Sequence, residues 1–485
     1  MAYRSDEVTN AVVLEIGRHV TKCGYAGEDS PRALFQTKAV AVKRTTSDAE
    51  KDSGDVDMEG LSVSKSKKHY FEPLQSLPKS KENEYDFQSA VNANGIIEDW
   101  DLWMETMRHA GAITGFSEDK LFNDSPLIMI EKPHNPPGHR AKIIEMLFES
   151  TDAPAVFLGK DAVLNCFACG RTTGIVADVG DTTLITPVYE GWAESGKGML
   201  RGVGVECIQK HCIETMDQLL KRSGSNAAKE VMPFYQAKNE KYEKRIESYH
   251  SLARFQTAVR CLEFLSPYSV AEYGYNPSNF KHIPKLPYVL PDGTEIQFGN
   301  ERFEFGEILF GDASGNLKTD DAADKTPSQI REAYASGYAE LLEEESSSQI
   351  SPNKGESNFP SKSTPNSNNG IEFSTGTLQN MICESAFRCD REQQAQLLGN
   401  VVLAGGGVCV ENVVDRARAE VEAIIHTHTP GWRVKVLSPP VTERAYCSWL
   451  GGSILGSLGS FGEMYISRKE YDEGGGASIV HRKCP

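Results

Sequence analysis

Short apolar runs alternate along the chain with segments whose hydrophobic residues recur at helical spacing. Residues 140–148 place apolar side chains at positions 143, 144, 147 and 148, which predicts an amphipathic helix, and a second helix is predicted over residues 413–425. Alternation of strands and helices is typical of the mixed α/β class, which we therefore expect for this chain. Buried strands are predicted near residues 11–16, 127–130, 174–180 and 400–407.

Two of these strands carry the same local pattern. Leu-Glu-Ile-Gly at residues 14–17 and Ala-Asp-Val-Gly at residues 177–180 each place an acid and then a glycine at the end of an apolar run. A second strand-like stretch follows each of them, at residues 21–25 and 183–188. Two similar hairpins in one chain predict a duplicated α/β unit with a cleft between its halves.

The glycine turns are candidates for phosphate binding. Converging backbone N–H groups in a tight turn bind anions, and a carboxylate just before the turn can hold the waters of a Mg²⁺ ion. Glu15 and Asp178 stand in that position, and residues 405–407 add a third glycine turn before a helix. The same residues also fit an ordinary strand-to-helix turn and a surface acid, so the pattern alone leaves nucleotide binding as one of two interpretations.

Two segments are too polar to pack into a core. Residues 43–83 are rich in Lys, Ser and Asp, and residues 343–370 are rich in Ser, Asn and Pro. Such compositions do not bury enough apolar surface to offset the entropy of ordering. We expect both segments to be loops inserted into a folded body, since strong patterns resume on each side.

Charge and cysteine content narrow the function classes. With 51 basic and 68 acidic residues the chain carries a formal charge of −17, which disfavours strong direct nucleic-acid binding and suits basic partners such as histone tails. Eleven irregularly spaced cysteines are expected to be free thiols, and the C-x-x-C of Cys166 and Cys169 to belong to a core helix. No apolar run reaches the roughly 18 residues of a membrane span and no signal region is seen. We expect a soluble intracellular protein without a membrane partner.

Longer motifs resemble actin across nearly the whole chain. The resemblance implies a ribonuclease H-like duplicated fold, with two halves of two subdomains each around a central ATP cleft. The motifs are KCGYAGEDSPRA at 22–33, GIIEDWD at 95–101, CGRTTGIVAD at 169–178, LPDG at 290–293, FGNERF at 298–303, WLGGSILGSL at 449–458, and KEYDEGGG and IVHRKCP at the C-terminus.

The resemblance also implies how the chain divides. The first half would have its large subdomain at 1–40 and 85–152 and a small outer subdomain with the polar insertion at 41–84. The second half would have its large subdomain at 153–204 and 318–441, the latter with a disordered insertion near 343–370, and its small subdomain at 205–317. Residues 442–485 would return to the first half.

Within the superfamily, the chain is most similar to nuclear actin-related proteins, the actin-like subunits of chromatin-remodelling and histone-acetyltransferase complexes. This resemblance implies a nuclear protein that pairs with monomeric actin and docks on a helicase-SANT-associated helix of a scaffold subunit. An apolar groove near Tyr189 and residues 450–464 would receive the helix. A histone contact is a further expectation, with an ordinary solvated acidic surface as its alternative.

The actin pattern also assigns the residues of the cleft. Glu15 and Asp178 would hold Mg²⁺ through water. The nucleotide contacts would come from Gly17, Arg18, Lys22, Asp178, Gly180, Asp181, Thr182, Gly405 and Gly406.

Several departures from the pattern bear on catalysis. Arg18 and His19 stand where actin has small residues. We place the glutamine that orients the attacking water in actin on the helix that carries Glu145, and its histidine partner at Ile185, which cannot form a hydrogen bond. ATP, with or without Mg²⁺, is therefore expected to bind weakly and to be hydrolysed weakly or not at all. The alternative is an ATP-hydrolysing, polymerising actin-like protein.

Overall fold

The computed structural model describes most of the chain outside the predicted polar insertions. Residues 343–370 lie outside the described residues, and so do residues 43–83 apart from His69–Tyr70. The described ranges are 11–37, 39–42, 69–70, 85–223, 230–234, 247–265, 280, 282–311, 372–373, 377–474 and 476–484.

Strands and helices alternate through these ranges. The strands, in chain order, are β1 (Val12–Ile16), β2 (Val20–Tyr25), β3 (Ala33–Gln36), β4 (Ala39–Val42), β5 (His69–Tyr70), β6 (Tyr85–Gln88), β7 (Leu127–Glu131), β8 (Ala155–Lys160), β9 (Gly174–Val179), β10 (Thr183–Tyr189), β11 (Trp192–Ala193), β12 (Met199–Arg201), β13 (Leu286–Val289), β14 (Glu295–Phe298), β15 (Glu372–Phe373), β16 (Val401–Ala404), β17 (Val436–Leu437) and β18 (Ile466–Ser467). The helices are α1 (Trp100–Thr114), α2 (Pro137–Ser150), α3 (Asp161–Ala168), α4 (Val205–Arg222), α5 (Glu247–Leu265), α6 (Glu301–Phe310), α7 (Leu378–Arg388), α8 (Arg391–Leu398), α9 (Val413–His428), α10 (Cys447–Gly456), α11 (Arg468–Gly474) and α12 (Gly476–Lys483).

Two large sheets repeat one topology. The first has the order β18-β8-β7-β1-β2-β3, in which β1, β2 and β3 form an antiparallel meander and β7 and β8 run parallel to β1. In the second, β9, β10 and β12 form the meander and β16 and β17 run parallel to β9, with β15 at the edge beside β12. The α/β class and the duplication predicted from the paired hairpins are confirmed.

The predicted helices and strands are found at nearly the expected positions. The helix predicted at 140–148 lies within α2, which begins three residues earlier at Pro137, a residue favoured in a first helical turn. The strand predicted at 400–407 ends earlier, at Ala404, because Gly405 turns the chain with a positive φ of 93°.

Each large sheet is covered by its own hydrophobic core. The first core surrounds β1, β7 and β8 and includes Trp449, Ile466 and Val480 from the C-terminal region. The second core surrounds β9 and β16 and includes Ile185 and Val410. Two smaller sheets, β5-β4-β6 and β13-β14, have no strand paired with the large ones.

Helices α3 and α10 pack closely against each other where the chain passes from the first sheet to the second. A Cβ atom on Gly451 of α10 would lie 1.9 Å from the carbonyl oxygen of Leu164 in α3, so only glycine fits this crossing. Trp449 of the same helix donates from Nε1 to the carbonyl of Val13 in β1, at 3.0 Å. These contacts hold β1 in place against the pair of α3 and α10.

Candidate functional site

The first hairpin turn joins β1 to β2 through Gly17. The amide of Gly17 donates to the carbonyl of Val20 at 3.2 Å, and a Cβ at this position would lie 2.9 Å from the same oxygen. Glu15 and Lys22 are cross-strand partners, and Lys22 Nζ donates to Glu15 Oε1 at 2.8 Å. Ser448 at the start of α10 donates to the other carboxylate oxygen at 2.7 Å. Both oxygens of Glu15 are therefore engaged by this chain's own groups.

The second and third turns meet at Asp178. Gly180 closes the turn between β9 and β10 by donating its amide to the carbonyl of Thr182 at 3.0 Å. A Cβ on Gly405 would lie 2.7 Å from Asp178 Oδ1, so the close approach of the third turn requires glycine. The structure thus brings the predicted residues Asp178, Gly180 and Gly405 together, with Gly406 following directly.

Basic and acidic side chains lie opposite each other across the cleft, between the first turn and the second half. Arg18 Nη1 lies 2.9 Å from Glu206 Oε2 and 3.4 Å from Asp181 Oδ2. His19 Nε2 lies 2.7 Å from Asp181 Oδ1. We call these four residues, two from each half, the cleft clasp. Thr182 adds a contact between the halves, donating from Oγ1 to the carbonyl of Ala93 at 3.4 Å.

The clasp changes the acidity of Glu206 at the start of α4. Burial opposes ionisation of this carboxyl, but Arg18 and then Lys210 outweigh it and lower its pKa from 4.5 to about 2. Glu206 is therefore a carboxylate at neutral pH. The ligand atoms of His19, Asp181 and Glu206 lie within 4.8 Å of one another, a spacing that a metal ion could span. The Arg18 guanidinium, which donates a hydrogen bond to Glu206 and lies 3.4 Å from Asp181, already places a positive charge beside both acids.

A second charged cluster lies at the floor of the cleft. Lys132, the first residue after β7, donates from Nζ to Asp178 Oδ2 at 2.6 Å and lies 2.7 Å from Asp161 Oδ2. Burial opposes charge on Lys132, but the two carboxylates outweigh it and raise its pKa above the ordinary value. Burial raises the pKa of Asp161, whereas for Asp178 the attraction of Lys132 outweighs burial and lowers it.

Sequence reasoning missed Lys132 and Asp161. The signal that could have found them is their position directly after β7 and β8, because ligand sites of open α/β sheets gather at the carboxyl ends of parallel strands. Neither residue belongs to a glycine turn, and the turns were the pattern on which the sequence interpretation depended.

Comparison with known proteins identifies the family to which this arrangement belongs. A family model described as Actin matches residues 5–485. The chain belongs to the actin family. It is similar to the proteins named Actin-related protein 4 from Oryza sativa subsp. indica and subsp. japonica, each 29% identical over 503 residues. The protein of the same name from Arabidopsis thaliana is 28% identical over 500 residues, and all three alignments cover 100% of both chains. The sequence resemblance to the actin superfamily is thereby confirmed.

In this actin-family cleft, the water-orienting side chain does not come from the helix that carries Glu145, so that prediction is wrong. Glu145 is exposed on α2 and lies near Tyr471 of α11, because the apolar stripe of α2 faces the first core. The acid that the structure brings beside Asp178 is Asp161, at the start of α3. Ile185 is fully buried in the second core and offers no hydrogen-bonding group.

The predicted magnesium ligands do not fit a divalent ion as they stand. Glu15 is engaged by Lys22 and Ser448, and Asp178 is engaged by Lys132. An ammonium group beside each carboxylate competes with metal-bound waters for its oxygens and repels the ion at short range.

The C-x-x-C motif lies at the C-terminal end of α3. Cys166 is fully buried within the helix and burial raises the pKa of its thiol to about 12, while Cys169 is half-buried just beyond it. All eleven cysteines are free thiols, as expected. Among the described residues no helix combines the length and apolar character needed to cross a bilayer.

Exposed apolar side chains flank α3 on two sides. Trp192 of β11, the neighbour of Tyr189 across the strand pair, is 57% exposed. Leu458, which follows α10, is 50% exposed, and Ile454 and Met464 are also exposed. Both β11 and α10 contact α3, and we call these four exposed residues, which lie in those two elements or follow α10, the α3 patch.

Proposed function

We propose that this actin-related protein is a non-catalytic scaffold subunit of nuclear chromatin-remodelling and histone-acetyltransferase complexes. The observation that carries the proposal is the cleft clasp, in which Arg18 and His19 join the two halves directly through Asp181 and Glu206. A chain that holds its halves together by its own charges does not need a hydrolysis cycle to do so. The full-length similarity to relatives named Actin-related protein 4 supports the assignment.

The proposed partners are actin, a helix of a scaffold subunit and histones. Monomeric actin is the proposed companion, and the α3 patch is the proposed seat of a helicase-SANT-associated helix. An amphipathic helix would bury side chains such as Trp192, Leu458 and Met464, whose exposure in an isolated chain is otherwise unfavourable. The charge of −17 suits an additional contact with histones.

In this proposal, ATP binds in the cleft as a structural ligand and is not turned over. ATP would lie against the glycine turns, where Gly17, Gly180, Gly405 and Gly406 allow the backbone to approach phosphate closely. Lys22 would face it from β2. Ile185 leaves no polar group to orient an attacking water from β10, so hydrolysis would be negligible.

Purification of the tagged chain from nuclear extract at moderate salt, followed by mass spectrometry, tests the assembly. The expected companions are actin and subunits of a remodelling or acetyltransferase complex. A chain that is recovered alone, or with cytoskeletal filament proteins, would contradict the proposal. A variant with Trp192→Asp and Leu458→Asp should lose the scaffold subunit, while Val289→Asp, a change of another exposed apolar residue (60% exposed) on β13, should retain it.

A single-turnover phosphate-release assay tests the alternative of an ATP-hydrolysing, polymerising protein. The purified chain is expected to release phosphate no faster than buffer. Release that accelerates as light scattering rises would favour the alternative.

A further inference from the structure

The charge at the floor of the cleft is balanced from within the chain. Asp161 and Asp178 leave only 3% and 14% of their side chains exposed, and both face Lys132 Nζ at hydrogen-bond distance. Two buried carboxylates this close repel each other strongly unless a cation lies between them. Lys132 supplies that cation from the end of β7.

The same place is where a divalent ion would have to lie. A metal held through water by Asp178 and Glu15 would share its space with the ammonium groups of Lys132 and Lys22. Their positive charge repels a divalent ion at short range, and the carboxylate oxygens that would hold its waters already accept hydrogen bonds from lysine.

We propose that Lys132 is a built-in cation that replaces a divalent metal at the floor of the cleft. The closed cleft is then independent of Mg²⁺, and a nucleoside polyphosphate that enters it binds without a metal. The inference concerns the cleft alone, so it stands or falls separately from the partners proposed above.

Removing the ammonium should unmask a metal site. We expect the thermal midpoint of the nucleotide-free wild-type protein to be the same in EDTA and in millimolar Mg²⁺. Lys132→Met leaves Asp161 and Asp178 unpaired, so its midpoint should fall in EDTA and rise by at least about 2 °C when Mg²⁺ is added. Lys435→Met, which removes an exposed lysine beside β17, is the matched control and should respond to neither.

Two further variants separate a metal site from a general salt effect. Lys132→Arg keeps the charge and should show no response to Mg²⁺, whereas Lys132→Met combined with Asp161→Asn should lose the response of the single variant. A folded Lys132→Met protein that gains no stability from Mg²⁺ would overturn the proposal.

The wild-type protein gives an independent measurement if Lys132→Met does not fold. Titration of the nucleotide-free protein with Mn²⁺, followed by electron paramagnetic resonance, should show no tight stoichiometric site. One Mn²⁺ bound per chain and lost in Asp178→Asn would overturn the proposal, because the metal would then occupy the cleft beside an intact Lys132.

Discussion

Replacing Arg18 with methionine removes the guanidinium that joins the two glycine turns while keeping most of the aliphatic stem. The side chain of Arg18 is 25% exposed and that of Glu206 14%, so the pair is shielded from water more than an ordinary surface ion pair. The folded protein lowers the pKa of Glu206 from 4.5 to about 2. At about 1.4 kcal/mol per pKa unit, the ionised form is favoured by roughly 3 kcal/mol in total. Arg18 shares this with Lys210 and His19, so we expect Arg18→Met to cost about 1–2 kcal/mol.

The assay is urea denaturation followed by tryptophan fluorescence, with Glu206→Gln and the double variant completing a mutant cycle. Arg32→Met is the control. The Arg32 side chain is 54% exposed in its ion pair with Glu28, so this substitution should cost about 0.5 kcal/mol or less. Because the pKa of Glu206 is lowered by folding, its contribution is complete above pH 4.5 and is lost as the pH falls towards about 2. The difference between wild type and Arg18→Met should shrink over that range. A coupling energy near zero at pH 7, or a difference that does not change with pH, would refute the role of the clasp.

Other parts of the structure give sharp expectations. Arg416 and Glu307 form a buried bidentate pair with distances of 2.7 and 2.9 Å, so Arg416→Met should lower the free energy of unfolding by about 3–5 kcal/mol in denaturant titration; a loss below about 1 kcal/mol would contradict the pairing. Gly451→Ala should lower the thermal midpoint because its Cβ would strike the carbonyl of Leu164, whereas Gly196→Ala, with open space around it, should not; equal midpoints would argue against the helix crossing. Nine of the eleven cysteines are buried, so a thiol reagent should modify at most two quickly under native conditions and all eleven in guanidinium; rapid native modification of more would contradict the packing.

The fold was largely predictable because its signals are local. Each of the two hairpin turns is marked by an acid and then a glycine at the end of an apolar run, and the repetition of that pattern predicted the duplication. The amphipathic stripe of α2 was equally readable. The direction in which the exposed face of α2 points was not predictable, because periodicity does not show that Glu145 lies on the side away from the cleft.

The charged contacts of the site were less predictable because they join distant parts of the chain. Arg18 meets Glu206 188 residues later, and Lys132 meets Asp178 46 residues later. Local sequence patterns do not show which residues, far apart in the chain, come into contact. The sequence showed that Arg18 departs from the actin pattern, but only the packing of the two halves shows what the guanidinium binds.

The central claim is that this chain works by pairing with actin rather than by hydrolysis and polymerisation. Size-exclusion chromatography with multi-angle light scattering, on the purified chain mixed with monomeric ATP-actin and a peptide of the scaffold helix, tests it most directly. We expect a complex with one copy of each component, formed without phosphate release from this chain, and a monomer when the chain is alone. Filaments of the chain by itself, formed with phosphate release and without affinity for monomeric actin, would contradict it.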